Sequence, residues 1–370
     1  MHNIPSNLAF HVRLELKTYW SLYASLYLCF TICYTVFMAF NPKFNPTQHL
    51  LKVIEQAAEL KSKIQGAVIG VSWLPDMQRE ALARQTHGST AIEGNPLSLY
   101  EIKTLAAGGT VPGARPRAVQ EIMNYFEVLR FIGKNSSIAT IKVPQIQKLH
   151  AIIGRKNALD RGPMGAFRDY KVFVGNHTPP PPASVPYLTE ELCEWLNGTG
   201  KDWPALISSA ILHYQFEHIH PFGDGNGRVG RALATWELYR KQFDTGHIFA
   251  VDEVFLEDRQ AYYRALDHVE AQGGDMSGWV EYSSEAVLEA LGRTWKRIDS
   301  IRAISGGKQI SLTKNQERLL GLLKEAPRGI QEIMSALKVT KPGAHFVLKP
   351  LLEAGVVKRT GGHKTGKYSI

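Results

Sequence analysis

His220-Pro221-Phe222-Gly223-Asp224-Gly225-Asn226-Gly227-Arg228-Val229-Gly230-Arg231 gathers an imidazole, a carboxylate, a glycine-flanked asparagine and two guanidiniums within twelve residues. The preceding run ALISSAILHYQF has helical spacing. Pro221 should stop that helix, because a proline cannot continue the backbone ladder. His220 is therefore expected at a helix C-terminus, beside a loop rather than inside a packed face. Gly225 and Gly227 permit positive φ, so the Gly225-Asn226-Gly227 backbone can turn several N–H groups toward one point. A new helix is expected from about Arg228, and its unpaired N–H groups and dipole favour an anion. Arg228 and Arg231 are three apart and share one face of its first turn. Asp224, the one carboxylate in the loop, is suited to holding Mg²⁺ against phosphate oxygens.

These residues together read as a cradle for nucleotide phosphates with a histidine at its edge. His220 would act as general base on an incoming hydroxyl. The cradle would stabilise charge on the transferring phosphorus by positioned donors and metal. No Gly-Lys-Ser/Thr follows the glycines, so this is not a Walker-type P-loop. The plain alternative is a tight interhelical turn with surface arginines. The convergence of so many polar and glycine positions argues against it.

The twelve-residue run resembles the signature of the Fic family, His-Pro-Phe-x-(Asp/Glu)-Gly-Asn-Gly-Arg-x-x-Arg, at every fixed position. Upstream, Ser89-Thr90-Ala91-Ile92-Glu93-Gly94-Asn95 resembles that family's inhibitory helix motif, (Ser/Thr)-x-x-x-Glu-(Gly/Asn). Similarity of pattern continues around Arg168 to Gly175, at Tyr262 and Tyr263, and into the C-terminal region, covering residues 41–370. The resemblance implies a mainly α fold: a Fic-type helical bundle with a β-hairpin flap, followed by a small winged helix-turn-helix domain. It implies a protein adenylyltransferase that moves AMP from ATP to a Ser, Thr or Tyr hydroxyl of a protein. On this chain His220 would be the base and Asp224 the Mg²⁺ ligand. Gly225, Asn226 and Gly227 would hold the α- and β-phosphates, Arg228 would reach the β-phosphate and Arg231 the γ-phosphate. Phe222 would anchor the loop in the core.

Glu93 is weighed separately. A carboxylate on a helix facing the cradle would pair with Arg231 and remove the γ-phosphate contact. Ser89, one turn earlier, could hydrogen-bond near the same place, and Gly94 follows directly. The plain reading of Ser-x-x-x-Glu is an ordinary first-turn acid. Alongside the catalytic motif, autoinhibition in cis is the expectation.

The composition fits a folded enzyme. At 370 residues the chain can hold two or three domains. Hydrophobic content of 44% and charged content of 21% are ordinary for a globular chain. Three cysteines are too few for a disulfide framework, so a reducing compartment, the cytoplasm, is expected. The N-terminus is ambiguous. Residues 18–42 carry no charge and could span a bilayer as a membrane anchor. No small-residue cleavage pattern marks a signal peptide. The favoured reading takes 1–40 as a hydrophobic extension within which Met38 is the natural start, leaving residues 1–37 untranslated.

Residues 41–110 are expected to form N-terminal helices carrying the inhibitory motif, and 111–300 the catalytic core. Leu74 to Thr86 reads as an amphipathic helix, as do the EIMNYFEVLRFI run and Ile146 to Ile153. Phe167 to Gly175 alternates and is β-rich, a hairpin candidate. In the Fic family this hairpin is the flap, which binds the target protein by strand addition, here near Val172 to Gly175. A connecting hairpin without a docking role is the alternative. Pro179 to Pro182 reads as a stiff extended loop. Tyr262 and Tyr263 could line the adenine, or one could be a core aromatic. His213 and His218 lack zinc-ligand spacing and read as packing residues.

From residue 306 the chain carries 12 Lys and Arg against 4 Asp and Glu, nearly all of the net +9. Leu312 to Leu323, Ile330 to Leu337 and Val339 to Leu352 read as three helices. Val356 to Ile370 reads as a two-stranded wing with Gly361-Gly362 at its tip. The order resembles a winged helix-turn-helix, and the charge suits DNA backbone binding. Pro350 departs from that pattern and should kink the third helix. Such domains also serve in homodimers and substrate docking. The rival readings are transfer of another phosphate-containing group, removal of AMP, and an ATP-sensing DNA-binding regulator. Self-modification is a further expectation.

Overall fold

The computed structural model describes residues 40–67, 73–175, 177–244, 246–304, 314–353, 357–362 and 366–369. The hydrophobic extension, apart from Phe40, and residues 18–39 of the candidate span lie outside them. Among the described residues no helix is long and apolar enough to cross a membrane.

Among the described residues eleven α-helices precede residue 305: α1 (Gln48–Ala67), α2 (Leu74–Ile92), α3 (Leu99–Ala106), α4 (Pro116–Lys134), α5 (Val143–Ile153), α6 (Val185–Asn197), α7 (Ala205–Ile219), α8 (Asn226–Arg240), α9 (Val251–Glu257), α10 (Arg259–Ala271) and α11 (Ser277–Ile304). α7 and α8 form the centre. Both are buried nearly all round, so neither shows an amphipathic stripe and each must be enclosed by other helices. Trp279 on α11 is buried against α7 and donates its indole N–H to the Ala210 carbonyl at 2.7 Å. On the opposite side Trp236 of α8 donates to the Asn135 carbonyl at 3.0 Å, at the end of α4. These two indoles clamp the central pair between its neighbours. Leu206, Ile207, Ile211, Val229, Leu233 and Trp236 carry the core there.

α2 reaches this centre by a close backbone crossing with α9. A Cβ added at Gly88 would sit 2.4 Å from the carbonyl carbon of Asp252, so only glycine allows the approach. Gln85, one turn earlier, donates to Thr235 Oγ1 at 3.1 Å and accepts from the Asp252 N–H at 3.1 Å. Gly88→Ala is therefore expected to destabilise the protein by about 2 kcal/mol through overpacking. A urea unfolding midpoint equal to the parent's would contradict this crossing.

Phe167 to Gly175 does not form the expected two-stranded ladder. One isolated bridge survives: Val174 and His177 exchange backbone hydrogen bonds at 3.1 and 2.9 Å. Within the segment Arg168 turns inward, and its buried guanidinium takes the Tyr170 carbonyl. Its side chain donates to the carbonyls of His220 (2.8 Å), Tyr170 (3.1 Å) and Pro180 (2.6 Å). Its backbone N–H donates to Pro221 O at 2.9 Å. The segment is thus tied to the central loop rather than to itself.

Beyond residue 313 lies a second core with its own helices, α12 (Lys314–Glu325), α13 (Ile330–Leu337) and α14 (Lys341–Glu353). β1 (Arg328–Gly329), β2 (Lys358–Thr360) and β3 (Lys367–Ser369) form an antiparallel sheet in the order β1-β3-β2. The expected two-stranded wing therefore gains a short third strand. α14 continues past Pro350 to Glu353, although Pro350 has no N–H for the Phe346 carbonyl.

Candidate active site

α7 ends where the sequence places Pro221. His220 caps it in the left-handed region, at φ 48°, with its N–H donating to Phe216 O at 2.9 Å. A non-glycine residue there carries strain of about 1–3 kcal/mol, and such residues cluster at functional sites. The strain is held by Arg168 on the His220 carbonyl. The imidazole is 17% exposed, and burial pushes its pKa down to about 4, with the Glu217 carbonyl and Glu93 pulling the other way. His220 is therefore neutral at physiological pH, the state a general base requires.

The loop from Pro221 to Gly225 is built inward from Phe222. That ring is fully buried and lies flat on His150, with ring centres 3.8 Å apart and planes 4° from parallel. His150 accepts from the Gly165 N–H at Nδ1 (2.9 Å), and its Nε2 lies 3.0 Å from the Asp224 carbonyl. One donor and one acceptor require a neutral ring, and burial holds its pKa down at about 4. Asn226 is differently employed from its expected role. Its side-chain amide is spent on Phe222, accepting from the N–H and donating to the carbonyl, both at 2.9 Å. It braces the loop, and the anion-facing groups left are backbone N–H groups. α8 begins at Asn226 rather than at Arg228, after Gly225 in the left-handed region at φ 79°.

Asp224 sits at the rim of the loop. Its carboxylate accepts from the Asp160 N–H at 2.7 Å and lies 3.4 Å from Arg228 NH2. It remains 26% exposed, a hard oxygen donor open on one side, which fits Mg²⁺. Arg228 is itself 8% exposed, and its Nε has no partner. A buried donor without an acceptor is the expected state of a group waiting for an anion.

Arg231 is the most heavily engaged residue of the site, buried to 1% of its surface. Nε donates to Ser89 Oγ at 2.9 Å, and NH2 donates to the Ser89 carbonyl at 2.9 Å and to Glu93 Oε1 at 2.6 Å. NH1 lies 3.4 Å from the Tyr262 hydroxyl, and Asp252 is 3.9 Å from Nε. Burial works to raise the Glu93 carboxyl, but Arg231, with Arg228 and Arg259 further off, outweighs it and holds the group below its ordinary value. Glu93 is thus ionised. Gly94 directs it there, closing α2 with φ 91° immediately after the carboxylate. The Glu93 oxygen also lies over the first turn of α8: a Cβ added at Gly227 would meet it at 2.3 Å.

A cavity of about 130 Å³ adjoins these groups. Its walls include Glu93, His220, Arg231, Tyr263, Asp267 and Glu270. Tyr262 is buried with its hydroxyl 3.1 Å from His213 Nε2, so it belongs to the core as well as to the wall. Tyr263 stays 37% exposed and is the tyrosine that can face a ligand. His213 packs under the site, as its spacing suggests, and burial lowers its pKa to about 3. Among the described residues no group of three or more His, Cys, Asp or Glu could hold a metal ion by itself. Sequence reasoning missed Glu217, whose spacing of three from His220 on one helix puts both on a common face. It also missed the Gln85 and Asp252 support of α2, which only packing reveals.

The family model for the Fic/DOC family matches residues 140–238. The chain is 30% identical over 260 residues to the protein adenylyltransferase fic-1 of Caenorhabditis briggsae, covering 66% of this chain and 47% of that protein. It is 27% identical over 241 residues to the protein adenylyltransferase Fic of Nematostella vectensis, covering 62% of this chain and 53% of that one. The chain spans about half the length of the curated relatives it matches. Among solved structures it is similar to a Fic family protein of Desulfovibrio desulfuricans G20, with TM-score 0.60 and 26% identity over 90% of this chain and 98% of that one. A solved portion of Fic-1 from C. elegans gives TM-score 0.56 at 26% identity, covering 67% of this chain and 72% of that one. The loop from His220 to Arg231, the helices that carry it and these likenesses agree: residues 140–238 are a Fic domain.

Proposed function

We propose that this protein is an adenylyltransferase that moves AMP from ATP to a Ser, Thr or Tyr hydroxyl of a protein, and that Glu93 holds it inactive. The observation that carries this reading is that the neutral His220 imidazole, Gly227 in the first turn of α8 and Arg231 line one cavity. His220 takes the proton of the acceptor hydroxyl, and the oxygen attacks the α-phosphorus as pyrophosphate leaves. The N–H groups of Gly225 to Gly227 and the Arg228 guanidinium bind the phosphate oxygens. Asp224 would hold Mg²⁺, whose charge neutralises phosphate oxygens when bound. Arg231 would bind the γ-phosphate once Glu93 withdraws.

The segment near Val172 to Gly175 is read as the docking edge for the target. Its single bridge leaves neighbouring backbone groups for a visiting strand. The basic region from residue 306 is read as a winged-helix module for duplex DNA, supported by its 12 cationic against 4 acidic residues.

The test is label transfer from α-³²P-ATP with Mg²⁺, comparing the parent, Glu93→Gly and Glu93→Gly/His220→Ala. Label on the Glu93→Gly protein itself or on lysate proteins, absent from the double variant, is the expected result. No transfer by any form, with ATP binding intact, would move the reading to another donor nucleotide or to an ATP-sensing regulator.

A further inference from the structure

Glu217 is the one acid of α7, one turn before His220. Its carboxyl is 14% exposed and faces the imidazole, with Oε2 3.8 Å from His220 Nδ1. Two buried polar atoms here lack any hydrogen-bond partner: Glu217 Oε1 and His220 Nδ1. Buried polar groups are nearly always paired, so two unpaired ones on neighbouring side chains call for an explanation; the Glu217 main-chain carbonyl acts on the ring as well. The space is kept open on the far side by Gly230, where an added Cβ would stand 2.2 Å from Glu217 Oε1. Glu217 also lines the cavity together with Glu93, His220 and Arg231.

We propose that Glu217 is a positioning residue for the base: its carboxyl receives Nδ1–H of His220, so that Nε2 is the nitrogen presented to the acceptor hydroxyl. The inference rests on the adenylyltransferase reading and adds a residue to it. In the reaction the hydroxyl O–H bond breaks as Nε2–H forms. The hydroxyl oxygen bonds to the α-phosphorus, and pyrophosphate takes the electron pair of the broken P–O bond. The ring is then an imidazolium with both nitrogens protonated. A carboxyl oxygen on Nδ1–H shares that charge and returns it when the product leaves. A small side-chain rotation closes the 3.8 Å gap.

The groups facing Glu217 give the device a pH signature. Burial pushes its carboxyl up to about 8, with Arg231 on α8 opposing and Glu93 reinforcing. Tyr262 on α10 faces it too, and Arg168 and His177 act on the His220 ring. At pH 7 Glu217 is therefore protonated and offers its carbonyl oxygen to Nδ1–H. Above about pH 8 it is a carboxylate and a stronger partner for the imidazolium. Glu217→Gln keeps the oxygen and the shape but cannot ionise.

The test uses the full chain with Glu93→Gly, with and without Glu217→Gln, Glu217→Ala or Gly230→Ala. One arm reads the His220 tautomer by long-range ¹H–¹⁵N NMR, assigned with a His220→Ala sample, and needs no activity. Nδ1–H in the Glu93→Gly protein and a tautomer mixture in Glu217→Ala and Gly230→Ala are expected. The other arm follows kcat against pH. Removing Glu93 takes away one of the groups that raise the Glu217 carboxyl, so a rise centred at or below about pH 8 that Glu217→Gln abolishes is expected, with Glu217→Ala roughly 10-fold down in kcat and KM for ATP within about twofold. An unchanged tautomer in Glu217→Ala, or an unchanged pH profile in Glu217→Gln, overturns the proposal. If Glu93→Gly transfers no label, the adenylyltransferase reading fails and the NMR arm still decides the role of Glu217.

Discussion

Glu93→Gly is expected to bind ATP roughly 10- to 100-fold more tightly than the parent. The carboxylate occupies Arg231 NH2 at 2.6 Å, the position a distal phosphate oxygen would need. A hydrogen bond to a charged group is worth about 1.5–3 kcal/mol, and each 1.4 kcal/mol is about tenfold in affinity. Arg231 does not wander when Glu93 is removed, since Ser89 still accepts from Nε and NH2. The gain should therefore appear as affinity rather than as disorder. AMP lacks the distal phosphate, so its affinity should change by less than about threefold. Calorimetric titration of both nucleotides into parent and variant checks this. Equal gains for ATP and AMP would show that Glu93 merely crowds the cavity, and no gain for ATP would remove it from regulation altogether.

His220→Ala, placed in the Glu93→Gly protein, is expected to lower label transfer by about 10²- to 10⁴-fold, the ordinary contribution of a positioned general base. ATP affinity should hardly change, because under the proposed function the phosphates would be held by the backbone of Gly225 to Gly227 and the two arginines. The pH dependence carries the sign. The base works when neutral, and burial has already brought its pKa down to about 4. The acid limb of kcat/KM in the free enzyme should therefore lie well below the ordinary histidine value near 6.5. Glu93 pulls His220 upward, so removing it moves the limb lower still. A limb at 6.5 in the Glu93→Gly protein would mean that another group limits the reaction. Retained transfer in His220→Ala would exclude the imidazole as base.

The sequence makes the helical frame and the central loop readable because both depend on local rules. Helical spacing marks α7, Pro221 ends it, and Gly225 supplies the positive φ before α8. The pairing of Glu93 with Arg231 could be conceived from charge alone, though their distance depends on Gly88 letting α2 approach α9. The Phe167 to Gly175 ladder is misread for an instructive reason. Alternation reports β-propensity, but Arg168 ties the segment to the central loop, with its N–H on the Pro221 carbonyl and its guanidinium on the Tyr170 and His220 carbonyls. Asn226 is misread because an amide in a glycine loop can face either the ligand or its own backbone, and Phe222 claims it. Glu217 escapes notice because an isolated acid in an apolar helix has meaning only when burial is known.

Arg168 makes one rigid yoke of two parts otherwise separate. Its guanidinium grips the carbonyls of Tyr170 and Pro180 at either end of the exposed segment, and the carbonyl of His220 at its other end. Arg168 is itself 3% exposed and has no slack to absorb movement. A displacement of that segment by a few tenths of an ångström reaches the base through a single side chain. Under the proposed function, a protein seated on that segment would be felt at the main chain of the base through this one side chain.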